Sequence, residues 1–283
     1  MLSYPLAGWR DGRRRVSAQY QGGAVGVSDV RKGSLPDYLI IGAQKCGTST
    51  LYSLLTEHPQ INKAGRKEVH YFDQHFSEGL SWYRSWFPAE ESGKITGESS
   101  PYCLLHPLAP ERVARIVPDI QLIVLLRNPV ERAFSQYHQQ CRRGYETLET
   151  FEEAIEAEPK RLAGERERII ADPHHDNFAH RHYSYLARGR YAEQLEHWFA
   201  NFDRQRIHII RSEDLYERPR RIYRRTLAFL GLDFPSDLRK AKRQRNAGNY
   251  ETQMDPSTRA MLEEYFEPHN QRLYQLLDRD FGW

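Results

Sequence analysis

The chain has 283 residues, of which 39% are hydrophobic and 28% are charged, and its formal net charge is +3. This length accommodates one large α/β domain or two small ones, and the composition is typical of a globular protein. The small net charge argues against nucleic acid as a partner by bulk electrostatics, so any anion site must be local.

The first 34 residues predict a flexible arm. They contain glycines, serines and an arginine cluster, but no apolar segment follows the arginines as it would in a secretory signal. No apolar run in the chain approaches the roughly 18 residues of a membrane helix, so we expect no integral membrane association. Three scattered cysteines, Cys46, Cys103 and Cys141, favour a reducing compartment over a disulfide framework or a structural zinc site. Together these features predict a cytoplasmic protein, with a Golgi lumenal domain as the alternative.

The first predicted strand, DYLIIG at residues 37 to 42, leads into the loop GAQKCGTST and then into a helix that runs to Pro59. The loop resembles a nucleotide-binding P-loop, because four residues separate Gly42 from Gly47. Thr48, however, stands where the P-loop lysine belongs, and the lysine lies inside the loop at Lys45. A glycine-rich turn that enters a helix presents N–H groups to an anion, and phosphate or sulfate is the natural ligand. Cys46 is interpreted as a small filling residue, since the spacing of a cysteine phosphatase is not met.

A second apolar run, residues 120 to 127, predicts a buried parallel strand that ends at Arg127. Asn128 is a plausible cap for the helix that follows, and Ser135 lies about two turns into it. Residues 206 to 215 predict a third strand. Helices are predicted at 218 to 232 and from residue 256 onward. Strands alternating with helices indicate one α/β domain, residues 35 to 283, with a central, mostly parallel sheet flanked by helices and a P-loop-like strand, loop and helix.

The segment KEVHYFD, residues 67 to 73, offers a base. If it is extended, Glu68, His70 and Phe72 face one way, so that a carboxylate and an imidazole point together into the cleft. This pairing suits proton abstraction.

These segments together resemble the sulfotransferases that use 3′-phosphoadenosine 5′-phosphosulfate (PAPS) and release the bisphosphate PAP. GAQKCGTST is similar to their 5′-phosphosulfate loop, and LLRNPVERAFSQYH, residues 125 to 138, is similar to their 3′-phosphate motif. The similarity extends to KEVHYFD, ITGESSPYCL, GRYAEQLEHWF, the IIRSEDL strand end and the final helix. It covers residues 36 to 276 and is nearest the bacterial and the heparan sulfate sulfotransferases.

The resemblance implies a role for each matching residue. Arg127 and Ser135 would hold the 3′-phosphate. Glu68 would be the general base, with His70 as a neighbour that tunes or replaces it, and Lys45 would stabilise the leaving phosphate oxygen without a metal. The 5′-phosphosulfate would be held by Lys45, Gly47, Thr48, Ser49 and Thr50. The basic loop at residues 239 to 250 matches a loop that closes over the nucleotide, which makes Arg243, Arg245 and Gly248 further candidates.

The acceptor stays open between a glycan, a lipid or natural-product alcohol, and a small metabolite. Several heparan-acting members have Glu-Lys where this chain has Glu98-Ser99, so a lysine associated with acidic sugars is absent. Two other functions are alternatives: a P-loop-like nucleotide kinase, for which no strand-end metal carboxylate is apparent, and a noncatalytic nucleotide-binding protein of sulfotransferase ancestry.

The histidine-rich stretch at residues 173 to 183 follows no common metal-ligand spacing. We interpret it as part of a variable segment near the acceptor cleft, where Tyr183 and Tyr185 could contact substrate.

Overall fold

The structure is a computed structural model that describes residues 33–235 and 253–283. The described residues form one sheet of five strands. The strands are β1 Tyr38–Gly42, β2 Ile61–Lys63, β3 Ile95–Ser99, β4 Gln121–Leu126 and β5 Ile207–Arg211.

The sheet has the strand order β2-β3-β1-β4-β5, and every neighbouring pair is parallel. β1 is buried along its whole length, and β4 is buried from Leu122 onward. Continuous burial explains why both strands read as unbroken apolar runs, since helices cover both faces of a parallel sheet. The order places β1 at the centre, so the loop after β1 opens in the middle of the carboxyl edge.

Helices supply the rest of the described fold. They are α1 Thr48–Leu55, α2 Gly79–Arg84, α3 Ala109–Ile116, α4 Pro129–Arg142, α5 Phe151–Leu162, α6 Glu165–Ala171, α7 Phe178–His182, α8 Tyr191–Phe199, α9 Ser212–Glu217, α10 Pro219–Phe229 and α11 Pro256–Leu277. A second apolar cluster packs α4 against α5 and α11, with Phe134, Phe151 and Phe266 buried inside it.

The predicted α/β architecture with its mostly parallel sheet is confirmed, and two details of the prediction are wrong. The strand predicted at 206 to 215 ends at Arg211, because Ser212–Glu217 forms a helix with acidic residues in its first turn. Two further strands, β2 and β3, had not been predicted. β2 has three residues and only Ile61 of these is buried, so its apolar pattern is too short to detect.

Across residues 33–235 and 253–283, no helix combines the length and the apolar character needed for a membrane span. Residues 1–32 lie outside the described residues, so the flexible arm and the domain boundary stay predictions.

Candidate active site

A cleft of about 730 Å³ opens at the carboxyl edge of the sheet. Its walls include residues that directly follow β1, β4 and β5, which is where open α/β sheets bind their ligands. The cleft collects nine of the residues predicted from the sequence: Lys45, Gly47, Thr48, Ser49, Thr50, Glu68, His70, Arg127 and Ser135. Segments that are up to 90 positions apart in the chain therefore share one site.

The loop between β1 and α1 is shaped for an anion. Gly47 immediately precedes α1 with a φ of 91°, in the left-handed region that favours glycine. A Cβ at this position would lie 2.8 Å from the Tyr216 hydroxyl oxygen, so a larger residue would have to displace that ring. Since glycine has no side chain to cap the helix, the first N–H groups of α1 receive no side-chain cap. Such a helix start binds phosphate or sulfate well.

Lys45 lies in this loop with a φ of 72° and is half-buried. Burial, together with the positive charges of Arg142, Arg127 and Arg143, lowers the pKa of Lys45 to about 8. The loop therefore concentrates positive charge that a bound anion would neutralise. Cys46 is fully buried, and burial raises the pKa of its thiol to about 11, which agrees with a filling role rather than a nucleophilic one.

Arg127 follows β4 and reaches back to the same loop, where it donates a hydrogen bond to the Lys45 carbonyl oxygen at 3.4 Å. Its guanidinium also lies 3.8 Å from the Glu131 carboxylate, a long contact that leaves Arg127 able to bind a further anion. The Asn128 side chain accepts hydrogen bonds from Val130 and Glu131 at 2.9 and 3.3 Å, so the predicted helix cap is confirmed.

Glu68 and His70 converge as predicted, with 3.5 Å between Glu68 Oε2 and His70 Nε2. The predicted extended conformation is wrong, because His70 has a φ of 58° and a turn follows it. Phe72 accordingly packs in the core instead of facing the cleft. The other ring nitrogen of His70 lies 3.1 Å from each carboxylate oxygen of the buried Asp73.

This geometry determines the charges of Glu68 and its neighbours. Burial alone would raise the pKa of Glu68, but the hydrogen bond from His70 and the charge of Lys67 lower it to about 2. Burial would likewise lower the pKa of His70, but the charge of Asp73 and the contacts with both carboxylates raise it to about 10. Glu68 is therefore a carboxylate held between two cations.

The sequence matches the family model of the sulfotransferase domain over residues 35–251, which is more than half of the chain. The chain belongs to the sulfotransferase family. This confirms the resemblance that its motifs indicated.

Three similar proteins illustrate the relationship. The chain is 28% identical to the membrane-associated sulfotransferase kil1 of Dictyostelium discoideum, with 88% of this chain and 66% of kil1 covered. It is 32% identical to human heparan sulfate glucosamine 3-O-sulfotransferase 6, with 88% and 73% covered. The crystal structure of a sulfotransferase from Alicyclobacillus acidocaldarius matches with a TM-score of 0.68 and 29% identity, over 88% of this chain and 98% of that one. The chain spans about two thirds of the length of the curated relatives it matches.

Sequence reasoning missed the residues that hold the base segment of this sulfotransferase in place. Buried Glu98 accepts hydrogen bonds from Val69 N–H at 3.0 Å and from the Ser100 hydroxyl at 2.6 Å, and Ser100 in turn accepts one from His70 N–H at 3.0 Å. The Tyr83 hydroxyl donates to the second oxygen of Glu98 at 2.8 Å. A glutamate at the end of a buried strand was the available signal, since an acid there requires partners.

Lys67 was also missed, although it lies in the segment that supplied Glu68. Its ammonium nitrogen is 2.5 Å from Ser49 Oγ in the loop between β1 and α1 and 3.1 Å from Glu68 Oε1. One side chain thus joins this loop to Glu68.

The histidine-rich stretch contributes to the cleft, but not through the tyrosines that were predicted. Arg181 and His182 line the cleft, whereas Tyr185 is fully buried and donates a hydrogen bond to Glu146. Tyr183 donates to the Tyr145 carbonyl oxygen instead of lining the cleft. Within the two described ranges, no group of three or more histidines, cysteines and acids is arranged to hold a metal. Arg243, Arg245 and Gly248 lie outside the described residues.

Proposed function

We propose that this protein transfers a sulfuryl group from PAPS to a hydroxyl or amine of an acceptor, with Glu68 as general base and without a required metal. One observation carries the proposal: the Lys67 ammonium contacts both Glu68 and Ser49, which lies in the anion-shaped loop after β1. A base and a phosphosulfate held in that loop would therefore meet in the same cleft.

The residues divide the reaction between them. Glu68 takes the proton from the acceptor as the acceptor oxygen or nitrogen forms its bond to sulfur. The bond from sulfur to the bridging phosphate oxygen breaks, and the electron pair stays on that oxygen of PAP. Lys45 and the start of α1 offset this growing charge, and they interact more strongly with it in the transition state than in the ground state.

The two phosphates of the nucleotide would bind at different ends of the cleft. The loop after β1 would hold the 5′-phosphosulfate, while Arg127 and Ser135 would hold the 3′-phosphate. Because the sheet order is β2-β3-β1-β4-β5, the nucleotide would extend toward β4 and β5. The acceptor would then enter over β2 and β3, where Glu68 and Tyr102 line the cleft.

A glycan acceptor is supported by the similarity to human heparan sulfate glucosamine 3-O-sulfotransferase 6, and a small-molecule acceptor stays an alternative. The cytoplasmic location also stays a prediction.

The proposal is tested by PAP release from PAPS across an acceptor library with EDTA present, alongside calorimetry with PAP, PAPS and ATP. We expect tight, metal-independent binding of PAP and PAPS, weaker binding of ATP, and turnover with at least one hydroxyl or amine acceptor. In Glu68→Gln, turnover should fall by a factor on the order of 100 or more while PAP binding is retained, because only proton transfer is lost.

Glu90→Gln is the matched control, since Glu90 is exposed and outside the cleft, and it should behave as the wild type. Metal-dependent ATP binding that exceeds PAP binding would support the kinase alternative. PAP binding without turnover on any acceptor would support the noncatalytic one. Full activity of Glu68→Gln would remove Glu68 as the base.

A further inference from the structure

Lys67 has an anchored backbone and a side chain that bridges two functional groups. Its carbonyl oxygen accepts a hydrogen bond from Ser99 N–H at 3.2 Å, which ties the backbone to the end of β3. Its side chain is 39% exposed and contacts both Ser49 and Glu68. The four-carbon stem of lysine has many rotamers, so the ammonium can move while the backbone stays fixed.

The arrangement poses a problem for Glu68 as a base. Its carboxylate contacts Lys67 at 3.1 Å and His70 at 3.5 Å, and each cation favours the ionised form over the protonated form. A carboxylate stabilised in this way accepts a proton poorly, whereas an efficient general base needs a pKa closer to the working pH. One of the two cations must withdraw before Glu68 can accept a proton.

His70 is the fixed partner of the two. Its imidazole is held by Asp73 on the far side of the ring, and its backbone N–H is bonded to Ser100. Among the described residues, the Lys67 side chain is not fixed by a second carboxylate. Its other contact is the Ser49 hydroxyl, in the loop that is shaped for an anion. A sulfuryl group held beside Ser49 would compete directly with Glu68 for the Lys67 ammonium.

We propose that Lys67 moves from Glu68 to the sulfuryl oxygens of the donor, so that donor binding releases the base. This inference rests on the proposed function. It assigns Lys67 two successive partners: it holds Glu68 ionised and inactive in the free protein, and it contacts the group being transferred once the donor is bound. The base is thereby kept from acting until a sulfuryl group is present.

The test compares PAPS with PAP, since the two ligands differ only by the sulfuryl group. Isothermal calorimetry would be run on the full-length wild type and on Lys67→Gln, Lys67→Arg and Lys94→Gln. Lys94 is the matched control, because its ammonium pairs with the Glu91 carboxylate at a distance of 2.8 Å. This pair lies outside the cleft. PAP binding within each variant also reports whether the site is still folded.

We expect Lys67→Gln to weaken PAPS binding about tenfold, the usual effect of losing one hydrogen bond to a charged group, and to leave PAP binding within about twofold. Lys67→Arg should recover most of the PAPS affinity, and Lys94→Gln should match the wild type. Equal weakening of PAPS and PAP, or no weakening of either, would overturn this inference alone. Failure of the wild type to bind either ligand would overturn the proposed function, and this inference with it.

Discussion

At the scale of single residues, the protonation of Lys45 should make PAP binding depend on pH. Burial and the nearby arginines place its pKa at about 8, so the free protein loses this positive charge as the pH rises above that value. Because an anionic ligand binds the protonated lysine better, PAP affinity should fall by about twofold from pH 7 to pH 8. Above pH 8 it should fall further, approaching roughly tenfold per pH unit.

Lys45→Arg is the control for this prediction, since the guanidinium pKa stays above about 12 and the charge is kept throughout. Calorimetry with PAP between pH 7 and 9 should show the decline in the wild type and a flat profile in the variant. The same decline in Lys45→Arg would mean that another group is responsible.

The individual motif residues could be predicted from the sequence, because each anion motif is contiguous. The glycine, lysine and hydroxyls of the first loop and the Arg127 to Ser135 spacing are all visible within short stretches. The contacts of Lys67 with Ser49 and of Glu98 with Val69 join residues 18 and 29 positions apart. Such pairings follow from the sheet order, which no single stretch of sequence specifies.

At the scale of elements, the end of β3 holds the base segment in place through Glu98. Burial raises the pKa of Glu98 to about 7, and the hydrogen bonds from Ser100, Tyr83 and Val69 oppose this rise only in part. The folded protein therefore binds this proton more tightly than the unfolded chain, whose reference pKa is 4.5. The stabilising contribution is complete below pH 4.5 and is lost as the pH rises through 7.

Glu98→Gln should abolish this dependence, because the amide does not titrate. Relative to the wild type, the free energy of unfolding of the variant should rise between pH 5 and pH 8 by an amount on the order of 3 kcal/mol. Urea unfolding at several pH values measures the difference. Any constant loss from an imperfect hydrogen bond of the amide cancels in this comparison. Parallel stability curves for the two proteins would contradict the raised pKa.

The conformation of residues 67 to 73 could not be predicted from strand alternation. An extended KEVHYFD would place Phe72 beside Glu68, but Glu98 and Ser100 instead bind the backbone of Val69 and His70. The chain turns at His70, which moves Phe72 into the core while the carboxylate and the imidazole still converge. Glu68 and His70 therefore converge for a reason other than strand alternation.

At the scale of the whole molecule, the proposed function would place donor and acceptor on opposite sides of the central strand of the parallel sheet. β4 and α4 supply Arg127 and Ser135, while the segment after β2 and the end of β3 supply and support Glu68. The proposed in-line transfer needs acceptor and leaving group on opposite sides of the sulfur atom, and the strand order would be compatible with this separation. The second apolar cluster packs α4, which carries Ser135, against α11.

Substitution of Phe266 would show whether the second apolar cluster stabilises the fold without affecting ligand binding. Its side chain is fully buried, and a Cβ added at Gly189 would lie 2.7 Å from the Phe266 ring, so the space around it is tightly filled. Phe266→Ala should therefore lower the free energy of unfolding by about 3–5 kcal/mol. Met261 on the same helix is 50% exposed, and Met261→Ala should cost less than about 1 kcal/mol. Because Arg127 directly follows β4, we expect PAP affinity below the unfolding transition to stay within about twofold in both variants. A large loss of PAP affinity in folded Phe266→Ala would show that α11 shapes the donor site directly.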